Sequence, residues 1–163
     1  MTEPVRVITV TVSDTRTAAT DLSGKALAEE LQPFVLVRQI IVPDIPAQIT
    51  TSVEDALAEV DAVIVTGGTG IAPRDVTYES LIDLIDKRLD GFGEAFRRLS
   101  WDEIGPRAIL TRAVAGLAGT SLLFLLPGSE QAARLGAREL IVPILAHAVD
   151  LANGRGKHHH HKP

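Results

Sequence analysis

The first strand-like segment of the chain, residues 5–12, carries apolar or β-branched side chains at nearly every position (Val-Arg-Val-Ile-Thr-Val-Thr-Val). A strand without polar alternation is typical of a parallel sheet that is buried on both faces. A helical pattern follows at 25–31, then a strand at 34–42, a helix at 49–60 and a strand at 62–66. This βαβαβ order predicts parallel strands connected by right-handed helical crossovers.

The middle of the chain gives a weaker pattern. Apolar spacing predicts a helix over residues 77–89, and the Gly-Phe-Gly run at 91–93 predicts a break before a short helical piece around Phe96. Residues 104–119 give a less regular pattern.

The C-terminal part predicts one more core strand and a long helix. The strand is the apolar run at 122–126, and the helix extends from about residue 130 to residue 151. Pro143 lies inside the helical pattern, so we expect a kink or a break there. His147 is expected to pack against neighbouring apolar residues of this helix.

These segments predict the α/β class, as a single-domain three-layer α/β/α sandwich with a mostly parallel central sheet. The length of 163 residues suits one domain, and no linker rich in Gly, Pro or Ser divides it. We place the domain at residues 1–153 and a polar tail, expected to be disordered, at 154–163. The four histidines at 158–161 could bind a metal ion or be an incidental tail.

Composition excludes several functional classes. There are no cysteines, which excludes disulfides, thiolate metal sites and cysteine nucleophiles. The net charge of −5 disfavours a nucleic-acid surface, which relies on clustered Lys and Arg. The N-terminus lacks a signal-peptide pattern, and no apolar run is long enough to span a membrane, so we expect a cytoplasmic protein.

A glycine-rich turn directly follows the third predicted strand. Its residues are Thr66, Gly67, Gly68, Thr69 and Gly70. Glycines allow positive φ and a close backbone approach, and amides and threonine hydroxyls can bind an anionic oxygen, so we predict a phosphate-binding turn. It is neither a Walker A loop nor a dinucleotide fingerprint, since no Lys-Ser/Thr pair follows and Pro73 replaces the third glycine. The alternative is a tight turn in which glycine serves only the geometry.

Two aspartates near this turn are candidate Mg²⁺ ligands. Asp75 follows the glycines, and Asp44 follows the second strand, which brings it to the same edge of the sheet. Carboxylate oxygens suit Mg²⁺, and phosphate groups usually complete its coordination. The alternatives are that Asp75 or Thr77 caps the next helix, and that Asp44 is a turn residue between two prolines.

Two further loops end at the same edge. Ser13 and Asp14 follow the first strand, and Pro127, Gly128 and Ser129 follow the last. Ser129 could cap the final helix and leave its N-terminus facing an anion, or act as a cap alone. Positive charge could come from a set of four residues for which solvated surface is the default: Arg16, Lys25, Arg74 and Arg112.

At these residues the chain resembles the MogA/MoaB family of molybdenum cofactor biosynthesis, whose fold also occurs in the gephyrin G domain. The resemblance covers about residues 5–151. Its most specific parts are Thr-Gly-Gly-Thr-Gly at 66–70, Arg-Asp-Val-Thr at 74–77, Gly-Phe-Gly-Glu at 91–94 and Leu-Pro-Gly-Ser at 126–129. The stretch from 91 to 129 looks more like the MoaB branch.

The resemblance implies adenylylation of molybdopterin by Mg²⁺-ATP, with release of pyrophosphate. It implies catalytic, Mg²⁺-binding roles for Asp44 and Asp75, and it places the pterin over the glycine-rich turn, near Ser13, Asp14, Thr69, Thr77 and residues 127–129. It also implies a homotrimer or hexamer and contact with other proteins of the pathway. The alternatives are a molybdopterin-binding carrier or regulatory protein without turnover, and a nucleotide hydrolase that acts without pterin.

Overall fold

The computed structural model describes residues 3–156, which form a six-stranded sheet with helices on both faces. The strand order is β2-β1-β3-β6-β5-β4. The first four strands in this order are parallel, whereas β5 pairs antiparallel with both β6 and β4. The bounds are β1 Arg6–Val12, β2 Val35–Val42, β3 Ala62–Thr66, β4 Lys87–Arg88, β5 Val114–Ala118 and β6 Ser121–Leu126. The predicted mostly parallel sheet is confirmed.

Six α-helices within the described range flank the sheet. Their bounds are α1 Leu22–Glu30, α2 Pro46–Leu57, α3 Thr77–Leu81, α4 Asp90–Ile104, α5 Glu130–Gly136 and α6 Val142–Ala152. Short 3₁₀ segments cover Ile82–Leu84 and Gly105–Leu110, and a π-helical segment, Ala137–Ile141, joins α5 to α6.

Two apolar cores lie on opposite faces of the sheet. One packs α1, α4, α5 and α6 against the sheet through residues such as Leu27, Phe96 and Leu145. The other packs α2 and α3 through residues such as Ile49 and Leu81. The molecule therefore has the predicted three layers, because β1, β3 and β6 bury side chains on both faces.

The region between β3 and β6 differs from the sequence predictions. The predicted helix at 77–89 is wrong beyond residue 81, where a 3₁₀ turn leads into β4. The glycines at 91–93 do not break a helix but lie in the first turn of α4, where Gly93 fits closely under the carbonyl of Ala113. The segment 104–119, predicted to be irregular, contains a 3₁₀ helix and strand β5.

The C-terminal helical region is continuous but not uniformly α-helical. Pro143 lies in the first turn of α6, directly after the π-helical segment. The kink or break expected at Pro143 is thus a widened helical turn just before it. This turn accommodates a proline, which has no amide hydrogen to donate. His147 is exposed rather than packed, so that expectation was wrong.

No helix among residues 3–156 is both long and apolar enough to cross a bilayer. The predicted tail lies largely beyond residue 156, and its histidines at 158–161 are outside the described residues.

Candidate active site

A cleft of about 460 Å³ opens at the carboxyl ends of the parallel strands. From β1 the chain crosses to β2 on one side and later to β3 on the other, so the cleft lies at the point where the strand order reverses, the usual ligand site of open α/β sheets. Ten of the predicted residues line it: Ser13, Asp14, Asp44, Gly67, Gly68, Thr69, Gly70, Asp75, Pro127 and Gly128. The loops that the sequence placed at one edge therefore meet in one cavity.

The glycine-rich turn needs glycine at its first two positions. Gly67 and Gly68 have φ of 96° and 69°, in the left-handed region that side chains disfavour. A Cβ on Gly67 would lie 2.4 Å from the carbonyl oxygen of Val12. The turn is held to the sheet because the Gly67 amide donates to the carbonyl of Leu126 at 3.0 Å.

The next three amides of the turn are available to a ligand. Within residues 3–156, the N–H groups of Gly68, Thr69 and Gly70 donate no hydrogen bond to protein, and all three residues line the cleft. Below them, the hydroxyl of Thr77 is buried and has no partner in the same part of the chain. Buried polar groups are nearly always paired in native proteins, so this set of donors fits an anionic oxygen.

Three carboxylates, those of Asp14, Asp44 and Asp75, line the same cleft. The backbone amide of Asp44 donates a 2.8 Å hydrogen bond to Asp14, and a carboxylate oxygen of Asp75 accepts from the amide of Ala72 at 2.9 Å. Partial burial raises the pKa of Asp44, and the nearby Asp14 and Asp75 raise it further, whereas Arg74 opposes them. A cation bound here would relieve this repulsion.

Two arginines give the cleft positive charge. Arg74 and Arg107 line it, and neither forms an ion pair within the described part of the chain. Of the other predicted cations, Lys25 binds the carbonyl of Ala19 and Arg16 lines a separate, smaller pocket. Arg112 also lies outside the cleft.

Sequence reasoning missed the wall formed by the 3₁₀ helix after α4. Arg107 and Leu110 line the cleft from this helix, and Ile104 and Thr111, which directly precede and follow it, line the cleft as well. In the sequence, these residues stand out only as apolar residues and an arginine near Gly105 and Pro106. This combination is common on protein surfaces and therefore does not indicate a binding site. The segment reaches the cleft because the chain that follows it folds back onto the sheet as β5, next to β6.

Three predicted residues do not line the cleft. Thr66 is fully buried beside Ser23, with 3.5 Å between the hydroxyl oxygens. Ser129 caps α5 by accepting from the amide of Ala132 at 3.1 Å and lines the adjacent smaller pocket. Thr77 lies beneath the turn at the start of α3, where its side chain makes no capping bond to any residue that the structure describes.

The cleft offers a metal ion only part of a coordination shell. No group of three or more His, Asp or Glu side chains among residues 3–156 is arranged to hold a metal. The carboxylates of Asp44 and Asp75 could supply two oxygen ligands to a Mg²⁺ ion, which usually receives the rest of its coordination from water and phosphate groups.

The strand topology, the amides without partners among residues 3–156 and the flanking carboxylates define an α/β domain with a polar cleft at the strand ends whose donors suit an anionic ligand. A family model described as "Probable molybdopterin binding domain" matches residues 8–147. Molybdenum cofactor biosynthesis protein B of Staphylococcus carnosus (strain TM300) is 46% identical over 152 residues, which cover 89% of each chain.

Solved structures agree with this match. A crystal structure of molybdenum cofactor biosynthesis protein B has a TM-score of 0.88 at 42% identity, covering 93% of this chain and 98% of that one. The tungsten cofactor synthesizing protein MoaB from Pyrococcus furiosus has a TM-score of 0.84 at 36% identity, covering 93% and 99%. The chain belongs to the MogA/MoaB family of molybdenum cofactor biosynthesis proteins, as the sequence motifs indicated.

Proposed function

We propose that the protein is a molybdopterin adenylyltransferase, which uses Mg²⁺-ATP to form adenylyl-molybdopterin and pyrophosphate. The observation that carries this proposal is the set of three amides, of Gly68, Thr69 and Gly70, that have no partner within residues 3–156 and line a cleft that also holds Asp44 and Asp75. The buried hydroxyl of Thr77, also without a partner in that range, lies beneath them. Donors for phosphate and carboxylates for a cation are the two needs of nucleotidyl transfer. We name molybdopterin as the second substrate because the matching family model is described as a probable molybdopterin binding domain.

The reaction places few demands on general-base catalysis. A phosphate-monoester oxygen of molybdopterin attacks the α-phosphorus of ATP, a new P–O bond forms, and the bond from the α-phosphorus to the bridging oxygen breaks to release pyrophosphate. The second pKa of a phosphate monoester is about 6, so the attacking oxygen is mostly ionised at neutral pH. The main barrier is to bring two polyanions together, which requires positioning and charge stabilisation.

Different residues of the cleft position the two substrates and stabilise their charge. The amides of Gly68, Thr69 and Gly70 bind phosphate oxygens, while Arg74 and Arg107 lower the repulsion between the two substrates. Ser13, Asp14, Pro127 and Gly128 border the turn and form the rest of the pterin site. Thr66 and Ser129 support the site through packing and capping.

Mg²⁺ fits the carboxylate part of the cleft. Asp14 and Asp75 act together to raise the pKa of Asp44, which is already raised by partial burial, so a divalent cation would remove an existing electrostatic penalty. Asp44 and Asp75 would hold it, and its charge would stabilise the transferred and departing phosphates.

The proposal is tested by incubating the protein with molybdopterin, Mg²⁺ and α-labelled ATP and measuring AMP attached to the pterin. In Asp75→Asn the amide oxygen still accepts from Ala72, but the charge is lost. We expect AMP transfer to fall about 100-fold or more while pterin affinity changes by less than about threefold. Asp83→Asn, at an exposed position of the 3₁₀ turn after α3, is the matched control.

Each other outcome identifies one of the alternatives. Pterin binding without any label transfer by the wild-type protein would establish a carrier or regulatory protein. ATP turnover without pterin would establish a hydrolase. Full activity of Asp75→Asn would remove the role of Asp75.

We also propose that the chain assembles as a homotrimer or hexamer and acts alongside other proteins of the pathway. Large apolar side chains are exposed around the end of α4, with Trp101 at 50% and Ile109 at 67%. Exposed apolar surface of this kind marks interaction sites. Light scattering coupled to size-exclusion chromatography tests the assembly, and a monomer at micromolar concentration would contradict it.

A further inference from the structure

Arg112 makes a dense set of contacts with the glycine-rich turn from outside the cleft. Its Nε donates to the carbonyl of Thr69 at 3.3 Å and its Nη2 donates to the carbonyl of Gly70 at 2.5 Å. Its backbone amide also donates to Thr69, at 3.2 Å. One residue therefore supplies three hydrogen bonds to two consecutive carbonyls of the turn.

These bonds determine where the next amides point. All peptide bonds among the described residues are trans, and in a trans peptide the N–H points opposite to the C=O of the same peptide unit. Holding the carbonyls of Thr69 and Gly70 towards Arg112 directs the amides of Gly70 and Ile71 away from it. Neither amide has a protein partner within residues 3–156.

Arg112 is itself held by α3. Both of its terminal nitrogens donate to the carboxylate of Glu79, and its guanidinium lies 4.9 Å from the ring centroid of Tyr78. This ion pair lowers the pKa of Glu79, so Glu79 is ionised at neutral pH. The turn and the helix that carries Thr77 are thereby joined through one planar side chain.

We propose that Arg112 is a positioning residue for phosphate binding, which keeps the carbonyls of Thr69 and Gly70 turned back so that the turn presents amides to a polyphosphate. This inference rests on the proposed function, because it takes the turn as the phosphate-binding part of the site. No contact between Arg112 and the ligand is required.

Lysine is the informative substitution at this position. Arg112→Lys keeps the charge, but one ammonium group cannot reproduce a planar guanidinium that bonds two carbonyls and a carboxylate at once. Glu79→Gln leaves the carbonyl bonds and removes the ionic anchor. Arg98→Lys, at an exposed position of α4, is the matched control.

Calorimetric titration with pyrophosphate measures the phosphate site without requiring turnover. We expect Arg112→Lys to weaken pyrophosphate binding about tenfold and Glu79→Gln about threefold, with Arg98→Lys unchanged. Thermal unfolding of each variant verifies that it is folded. Equal affinity of the wild type and Arg112→Lys, or no binding by the wild type, would overturn the inference.

Hydrogen exchange separates positioning from a general loss of structure. In the wild type, pyrophosphate should slow exchange in the peptide that covers residues 66–76, whereas saturating pyrophosphate should protect this peptide less in Arg112→Lys. Equal protection in the two proteins contradicts the inference. Pyrophosphate binding that depends on Arg112, combined with no AMP transfer by the wild type, would leave this inference standing and refute the proposed function.

Discussion

The hydroxyl of Thr77 lies directly against Gly68, so that a Cβ on Gly68 would stand 2.2 Å from the hydroxyl oxygen. The amide of Thr77 also donates to the carbonyl of Gly68 at 3.0 Å. The start of α3 is thus in contact with the part of the turn that exposes free amides. A substitution at Gly68 or Thr77 that moves these two residues apart would therefore change both the shape of the turn and the position of α3.

Gly68→Ala should destabilise the protein more than an alanine at another glycine of similar φ. Gly119 has φ of 62°, and a Cβ there would meet no atom of the described residues within 4 Å, so Gly119→Ala costs only the backbone strain, about 1 kcal/mol. Gly68→Ala adds a clash with Thr77, and we expect a total of about 2–4 kcal/mol and loss of pyrophosphate binding. Urea denaturation of both variants measures the difference, and equal destabilisation would show that the turn relaxes freely.

Thr77→Val should leave stability unchanged or raise it, because the hydroxyl that it removes has no partner among residues 3–156. The matched variant is Thr11→Val, since the buried hydroxyl of Thr11 donates to Asp21 at 2.7 Å. Thr11→Val should lower the free energy of unfolding by about 1–3 kcal/mol.

Pyrophosphate affinity, in contrast to stability, should be reduced more by Thr77→Val than by Thr11→Val. Thr77→Val is expected to weaken pyrophosphate binding about threefold to tenfold, because the hydroxyl is a donor at the base of the turn. Calorimetry on both variants tests this, and unchanged affinity in Thr77→Val would remove its hydroxyl from the site.

Asp44→Asn should stabilise the protein at neutral pH. Because the folded-state pKa of Asp44 is raised, the folded protein binds more protons than the unfolded chain near that pKa, and this stability is lost as pH rises through it. Asparagine avoids the cost of the buried charge, so we expect an unfolding midpoint about 1–3 °C higher at pH 7. The gain should vanish as the pH falls to the unfolded-state pKa, near 3.8. A less stable variant at pH 7 would contradict this.

Glu30→Gln should destabilise the protein at neutral pH. Glu30 has only 14% of its side chain exposed and bonds both Arg134 and Arg138, which lower its pKa against the effect of burial. The ion pairs contribute above the unfolded-state pKa of about 4.5, and their contribution is lost as pH falls through the lowered value. We expect a loss of about 1–2 kcal/mol at pH 7 that shrinks in acid. Glu54→Gln, which is exposed on α2, is the control in denaturation at both pH values.

The parallel half of the sheet was predictable because its signal is local. β1, β3 and β6 bury side chains on both faces and therefore appear as short, nearly continuous apolar runs. Since the cleft lies at the ends of these strands, most of its residues could be predicted from the loops that follow them. The loop of Asp44 was found in the same way, at the end of β2.

The antiparallel edge was not predictable because it depends on contacts between distant residues. β5 is rich in alanine and glycine, which have low strand propensity. Gly116 is needed there because a Cβ would lie 2.5 Å from the carbonyl of Lys87 in the neighbouring strand β4. The pairing of β5 with β4 and β6 also brings Arg107 to the cleft. The sequence therefore failed to predict these two strands and this cleft residue for the same reason.

The π-helical segment also accounts for a repeat of four in the C-terminal helical region. The buried residues there include Ala133, Ala137, Ile141, Leu145 and Val149, one at every fourth position. In an ideal α-helix each such step overshoots a full turn by about 40°, so the apolar stripe would wind away from the sheet. A wider turn at Ala137–Ile141 absorbs part of this overshoot and keeps Leu145 and Val149 in phase with the core. Deleting one residue from this segment would let the turn close to an ordinary α-helical one with Leu145 and Val149 still facing the core, whereas deleting one residue from α6 would rotate the rest of that helix by about 100° and expose its apolar side.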